Sequence, residues 1–234
     1  QIDASVASGD LHSGSFGGAV GNPAFELSNI LAAIKDVHGK ITIPHFYDDV
    51  RELTDRERQE FAKLPFNEKV YAREIGVKQL SGEHGYTPLE QLWARPTFEI
   101  NGLLSGFTGE GAKTVLPAKA MAKVSLRLVP DQKPEIIEDL FEHYVYELAP
   151  SFLEIKVTRM HGGKPWIASL DHPALLAASR AIKKGFGKEP VFQREGGSIP
   201  VVATFAEQLG IPSVLFGIGL PDENAHAPNE KLDL

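Results

Sequence analysis

Met121-Ala122-Lys123-Val124-Ser125-Leu126-Arg127-Leu128-Val129 is the stretch whose reading decides the fold. Ala122, Val124, Leu126 and Leu128 share one side, while Lys123, Ser125 and Arg127 share the other. That period of two is a strand with one buried and one solvated face. Downstream, Pro134 opens an amphipathic helix through Ile136, Ile137, Leu140, Phe141, Tyr144 and Leu148, with Pro150 beyond its end. Leu153, Ile155 and Val157 then alternate with Glu154, Lys156 and Thr158 as another strand. Upstream, Phe98 to Asn101 reads as a short strand. Asn22-Pro23 opens a helix with Asn as N-cap and Pro in the first turn. Its apolar residues Leu27, Ile30, Leu31, Ile34 and Val37 keep helical spacing, and Gly39 supplies the stop. Ile2, Ala4 and Val6 alternate with Asp3 and Ser5 as the first strand.

Residues 40–96 are mixed, with a charged helix expected near Thr54 to Leu64, and are read as an insertion. Without them the order is strand, helix, strand, strand, helix, strand. The expected fold is therefore a four-stranded antiparallel sheet with two helices on one face, as in a ferredoxin. After the turn His161-Gly162-Gly163-Lys164-Pro165 the pattern changes to α/β. Helices are expected over Asp171 to Gly185 and Pro200 to Leu209, and Ser213 to Phe216 reads as a strand buried on both faces. About 70 residues of this kind cannot cover both faces of a sheet alone. The expected division is 1–163 and 164–234, the second being an incomplete α/β piece.

The 234 residues are 42% hydrophobic and 24% charged, an ordinary globular composition. A formal net charge of -7 argues against nucleic-acid and membrane-surface partners. The sequence has no cysteine, which removes disulfides, thiolate catalysis and cysteine-held metals and suits the cytoplasm. No apolar run approaches the ~18 residues of a membrane span. The sequence opens at Gln1 already in strand-like alternation and stops at Leu234 just after a motif, so a piece of a longer protein is expected.

Four stretches could carry chemistry. Gly106 to Thr114 is rich in glycine but lacks Gly directly before Lys113, so it reads as a turn rather than a phosphate loop. Asp10-Leu11-His12-Ser13-Gly14 precedes Gly17-Gly18; alone, His12 reads as a turn residue and Asp10 as a loop-backbone partner. Arg194-Glu195-Gly196-Gly197-Ser198-Ile199-Pro200 stands ahead of a helix, where backbone N–H groups suit a carboxylate or an oxyanion. Its bland reading is a helix capped by Ser198. Asn224-Ala225-His226-Ala227-Pro228 follows the expected buried strand, at the strand end where α/β domains bind ligands. A lone His there divides evenly between ligand and loop residue.

Together these motifs resemble the co-catalytic metallopeptidase family of carnosinase, cytosolic non-specific dipeptidase and aminoacylase. The matching stretches are Asp10 to Gly18, Gly109 to Pro117, Ser125 to Pro130, His161 to Trp166, Arg194 to Pro200 and His226 to Leu232, in the family's order. The resemblance implies a lid and dimerisation domain over 1–163 and part of a catalytic domain over 164–234. It implies hydrolysis of dipeptides or short peptides by a water activated between two divalent ions, zinc or manganese, with His226 as a metal ligand. The other ligands and the general base have no counterpart here, so the chain alone is expected to be inactive. His12 matches a lid histidine that enters the partner subunit's active site as an oxyanion donor. Arg127 matches an arginine for the substrate carboxylate. Thr114, His161, Gly197 and Ser198 match further substrate contacts, with Arg194 beside them. Competing expectations are an inert dimerisation and substrate-clamp module, and a deacylase of N-acyl amino acids.

Overall fold

The computed structural model describes residues 1–195, 199–217 and 228–231. Its elements run β1 (Ile2–Ser5), β2 (Leu11–His12), α1 (Ser13–Phe16), α2 (Pro23–Ile34), α3 (Asp55–Ala62), α4 (Glu68–Glu74), α5 (Pro88–Ala94), β3 (Thr97–Ser105), β4 (Val115–Leu116), β5 (Lys119–Arg127), α6 (Pro134–Leu148), β6 (Glu154–Val157), α7 (Pro173–Phe186) and α8 (Pro200–Leu209). The main sheet has the order β3-β5-β1-β6, with each neighbouring pair antiparallel. With α2 between β1 and β3, and α6 between β5 and β6, this is the ferredoxin-like arrangement expected from the sequence.

The core forms between the apolar face of this sheet and the two helices. Ile2 and Ala4 of β1, Ala120 and Ala122 of β5 and Phe98 of β3 pack with Leu27, Ile30, Leu31 and Ile34 of α2 and with Ile137, Phe141 and Val145 of α6. Each large aliphatic buried here stabilises the fold by about 1.5–3 kcal/mol. The alanines at the centre of the sheet leave room for the helices to approach. The opposite face carries Lys123, Ser125 and Arg127, all exposed.

Asn22 caps α2, its side-chain oxygen accepting from the N–H groups of Ala24 and Phe25. The helix ends at Ile34, one turn earlier than the apolar spacing suggested. Lys35 turns extended and bridges to Ile41, so Val37 lies outside the helix and is exposed. Gly39 instead serves the following turn at a φ of 81°. Strand β3 is longer than the expected four residues, because an irregularity between Ile100 and Gly102 lets pairing continue to Ser105.

Residues 40–96 do not stand apart from the core, since Ile41, Ile43 and Phe46 are buried within it. Both α3 and α5 start with a capping box, Thr54 with Glu57 and Thr87 with Glu90. Arg95 closes the segment. Its guanidinium donates to both carboxylate oxygens of Glu83, at 2.7 and 2.8 Å, and stacks on the rings of Tyr47 and Tyr86.

The chain divides into two compact units, one of Gln1–Ile167 with Val191–Ala203, the other of Ala168–Pro190 with Thr204–Leu234. The sequence offered no sign that Val191–Ala203 belongs with the first unit. In the second, α7 starts at Pro173 with the His172 side chain accepting from the Ala174 N–H, and Gly187 ends it at a φ of 69°. The strand expected over Ser213 to Phe216 is not formed, and Leu215 and Phe216 are exposed. A strand buried on both faces needs paired neighbours and cover, which the described residues of this unit do not provide.

Candidate functional site

Four of the expected site residues, His12 with Thr114 and Arg127 with His161, fall toward opposite ends of the main sheet. His12 ends β2, which pairs with β4 so that His12 faces Val115. The Asp10 carboxylate accepts from the Ala118 N–H at 3.0 Å and ties this corner together. The His12 Nδ1 accepts from the Gly14 N–H at 3.1 Å. In the neutral ring the proton therefore sits on Nε2, which lies 3.2 Å from Thr114 Oγ1. His12 thus donates to Thr114, and the Thr114 hydroxyl keeps its own proton to donate elsewhere. Both side chains are exposed. His12 therefore caps the turn and orients the Thr114 hydroxyl at once. Gly14 makes this possible, because a Cβ there would stand 2.9 Å from His12 Cε1.

This corner leads directly into Lys119, the first residue of β5. Arg127 closes the same strand, exposed on the uncovered face and making no ion pair among the described residues. Eight residues of antiparallel strand separate the two by about 27 Å. His161 belongs to the Arg127 end. Beyond β6, Thr158 pairs with Gln1, and Gly162 lies against Pro134 and Glu138 at the start of α6, seven residues after Arg127. The structure therefore brings His12 to Thr114, and directs Arg127 and His161 to the other end.

Arg194 is not exposed. Its Nε and Nη2 both donate to Glu57 Oε1, at 2.8 and 2.6 Å, and both side chains are largely buried. Arg194 Nη1 is buried without a hydrogen-bond partner among the described residues. Burial pushes the Glu57 carboxyl up, but the Thr54 N–H and the Arg194 guanidinium outweigh this and hold it below its ordinary value. The sequence held no sign of this pair beyond the Thr-x-x-Glu spacing of the α3 cap. Gly197, Ser198 and His226 lie outside the described residues. Among the described residues no group of three or more His, Cys, Asp or Glu could hold a metal ion. They do not fit a two-metal donor set, which needs several such ligands converging. No helix among them is long and apolar enough to cross a membrane.

The fold alone admits many functions, but the model of the peptidase dimerisation domain family matches residues 3–152. The chain belongs to this family, the M20 peptidases. It is 36% identical to the Cys-Gly metallodipeptidase DUG1 of Candida albicans over 228 residues, 96% of this chain and 47% of that protein. It is 33% identical to the human Beta-Ala-His dipeptidase, with 96% of this chain and 45% of that protein covered. Among solved structures, an M20 family metallo-carboxypeptidase from Sulfolobus solfataricus superimposes with a TM-score of 0.82 at 32% identity, covering 99% of this chain and 53% of that one. The chain spans about half the length of the curated relatives it matches.

Proposed function

We propose that this chain is the lid and part of the catalytic region of a cytoplasmic, metal-dependent dipeptidase whose active site is shared between two subunits. The observation that carries this reading is the separation of the two residue groups. An extended dipeptide spans about 7 Å, so one lid cannot place both His12 and Arg127 on it across about 27 Å of strand. Two lids facing each other's sites can. Arg127 and His161 of one subunit would hold the substrate carboxylate, the planar guanidinium binding it through two N–H donors. Thr114 of the partner, its hydroxyl oriented by His12, would supply a donor to the carbonyl oxygen as it gains charge. Gly197, Ser198 and Arg194 complete the substrate side of this reading.

The described residues cannot hold the metals themselves. In the proposed enzyme two divalent ions, zinc or manganese, would be held by His226 with further ligands that the described residues do not supply, and would lend the site an activated water. This chain's residues bind, orient and stabilise. By itself it is expected to hydrolyse no dipeptide. Assembly through the lid is supported by the dimerisation-domain match and by β3, which is an edge strand among the described residues and exposes Ile100, Leu103 and Leu104.

Mixing subunits of the complete enzyme tests the shared site. A His12→Ala protein and a His226→Ala protein are each expected to be inactive. After subunit exchange, the His226→Ala subunit offers an intact His12 to its partner's intact metals, and activity returns. Demonstrated heterodimers without activity would refute the arrangement.

A further inference from the structure

We infer that Glu57, on α3 of the 40–96 segment, is the positioning residue that holds Arg194 and the residues around it in place beside the substrate. The inference rests on the proposed dipeptidase reading for the word substrate, and on the geometry for the tether. Glu57 lies 137 positions from Arg194 in the sequence, and its two oxygens have separate duties. Oε2 accepts from the Thr54 N–H and the Thr54 hydroxyl, both at 2.9 Å, which locks the side chain to the start of its helix. Oε1 takes both Arg194 bonds. A carboxylate fixed by its own capping box gives Arg194 an anchor with little freedom.

The segment so anchored departs from its sequence neighbours. Ala168–Pro190 before it and Thr204–Leu234 after it belong to the other unit, whereas Val191–Ala203 packs with the lid unit and buries Val202 and Ala203. Arg194 is its buried charged residue, so the charge needs a fixed counter-ion there. The third nitrogen, Nη1, has no partner among the described residues. Enclosed as it is, Nη1 leaves Arg194 to position its neighbours rather than to meet a ligand directly. The inserted segment is thereby joined to the stretch that precedes Gly197 and Ser198.

Two measurements separate the tether from its use. Hydrogen exchange on this chain reads the tether. Glu57→Gln keeps the shape but removes the charge, and should speed amide exchange across 191–203 by about ten-fold or more while β1 and β5 stay protected. Glu57→Asp, which retains the charge, should restore part of the protection. Unchanged exchange at 191–203 would overturn the tether. Steady-state kinetics on the complete enzyme read its use. Glu57→Gln, Arg194→Gln and the double variant should raise KM to a similar extent, with kcat little changed and no additivity between them. Faster exchange with unaltered KM would overturn the positioning role. A complete wild-type enzyme that cleaves no dipeptide would sink the functional reading and leave the tether standing on the exchange data.

Discussion

His12 and Thr114, 102 positions apart in sequence, share a hydrogen bond in which the imidazole Nε2 donates to the hydroxyl. The direction is fixed by a backbone atom, since the Gly14 N–H occupies Nδ1. With one lone pair of its oxygen held by His12, the Thr114 hydroxyl has its own proton pre-aimed, and a donor so fixed needs little reorganisation when charge develops on an oxygen it meets.

Replacing His12 by Ala in the complete enzyme is therefore expected to lower kcat by about a hundred- to a thousand-fold. Dimerisation, read by sedimentation, and metal content should be unchanged. Gly14→Ala should produce a milder loss of the same kind, because the new Cβ would displace the ring from 2.9 Å away. Stability lost together with undiminished turnover would make His12 a turn residue only.

Acid should weaken the hold of Glu57. Its carboxyl titrates below its ordinary value of 4.5. A group with a lowered folded pKa adds stability that is complete above the ordinary value and is lost as pH falls through the lowered one. Removing one partner of a buried ion pair typically costs about 3–5 kcal/mol. Urea unfolding of the chain and of Glu57→Gln should show a gap of that order near neutrality that closes on acidification below 4.5. A gap independent of pH would contradict the assignment.

The lid core makes a third test. Leu27 is fully buried between α2 and the sheet, so Leu27→Ala should cost about 2–5 kcal/mol. Phe25, two residues away, is exposed, and Phe25→Ala should stay within about 0.5 kcal/mol. Equal effects in thermal unfolding would mean that α2 is rotated from the position described.

Alternation and helical spacing made the lid legible, because each strand has one dry and one wet face and both helices start at an X-Pro cap. The extra length of β3 was not legible. Beyond the irregularity after Ile100 the alternation shifts, and Leu103 and Leu104 follow each other on opposite faces. Helix α5 carried a readable signal in Thr87-Pro88-Leu89-Glu90, the same capping box that marks α3. Val37 misled because apolar spacing says nothing about where a backbone leaves the helix. For the expected site residues His12, Thr114, Arg127 and His161, the motifs carried no sign of their distribution over the sheet. That depends on strand register, which no local pattern of these residues encodes. The Glu57–Arg194 pair joins segments so far apart that neither one foretells the other.

Strand β5 also acts as a measuring rod. It runs without interruption from the corner of His12 and Thr114 to Arg127, and the irregular pairing falls on its neighbour β3 at the sheet edge. A single residue added within β5 would turn the Arg127 guanidinium from the open face into the helices. Two added residues would restore the face but carry the arginine about 7 Å further along. The edge strand can absorb insertions that this inner strand cannot. Variation in length among related lids is therefore expected at β3 and in the loop after it, with the span from Lys119 to Arg127 held constant.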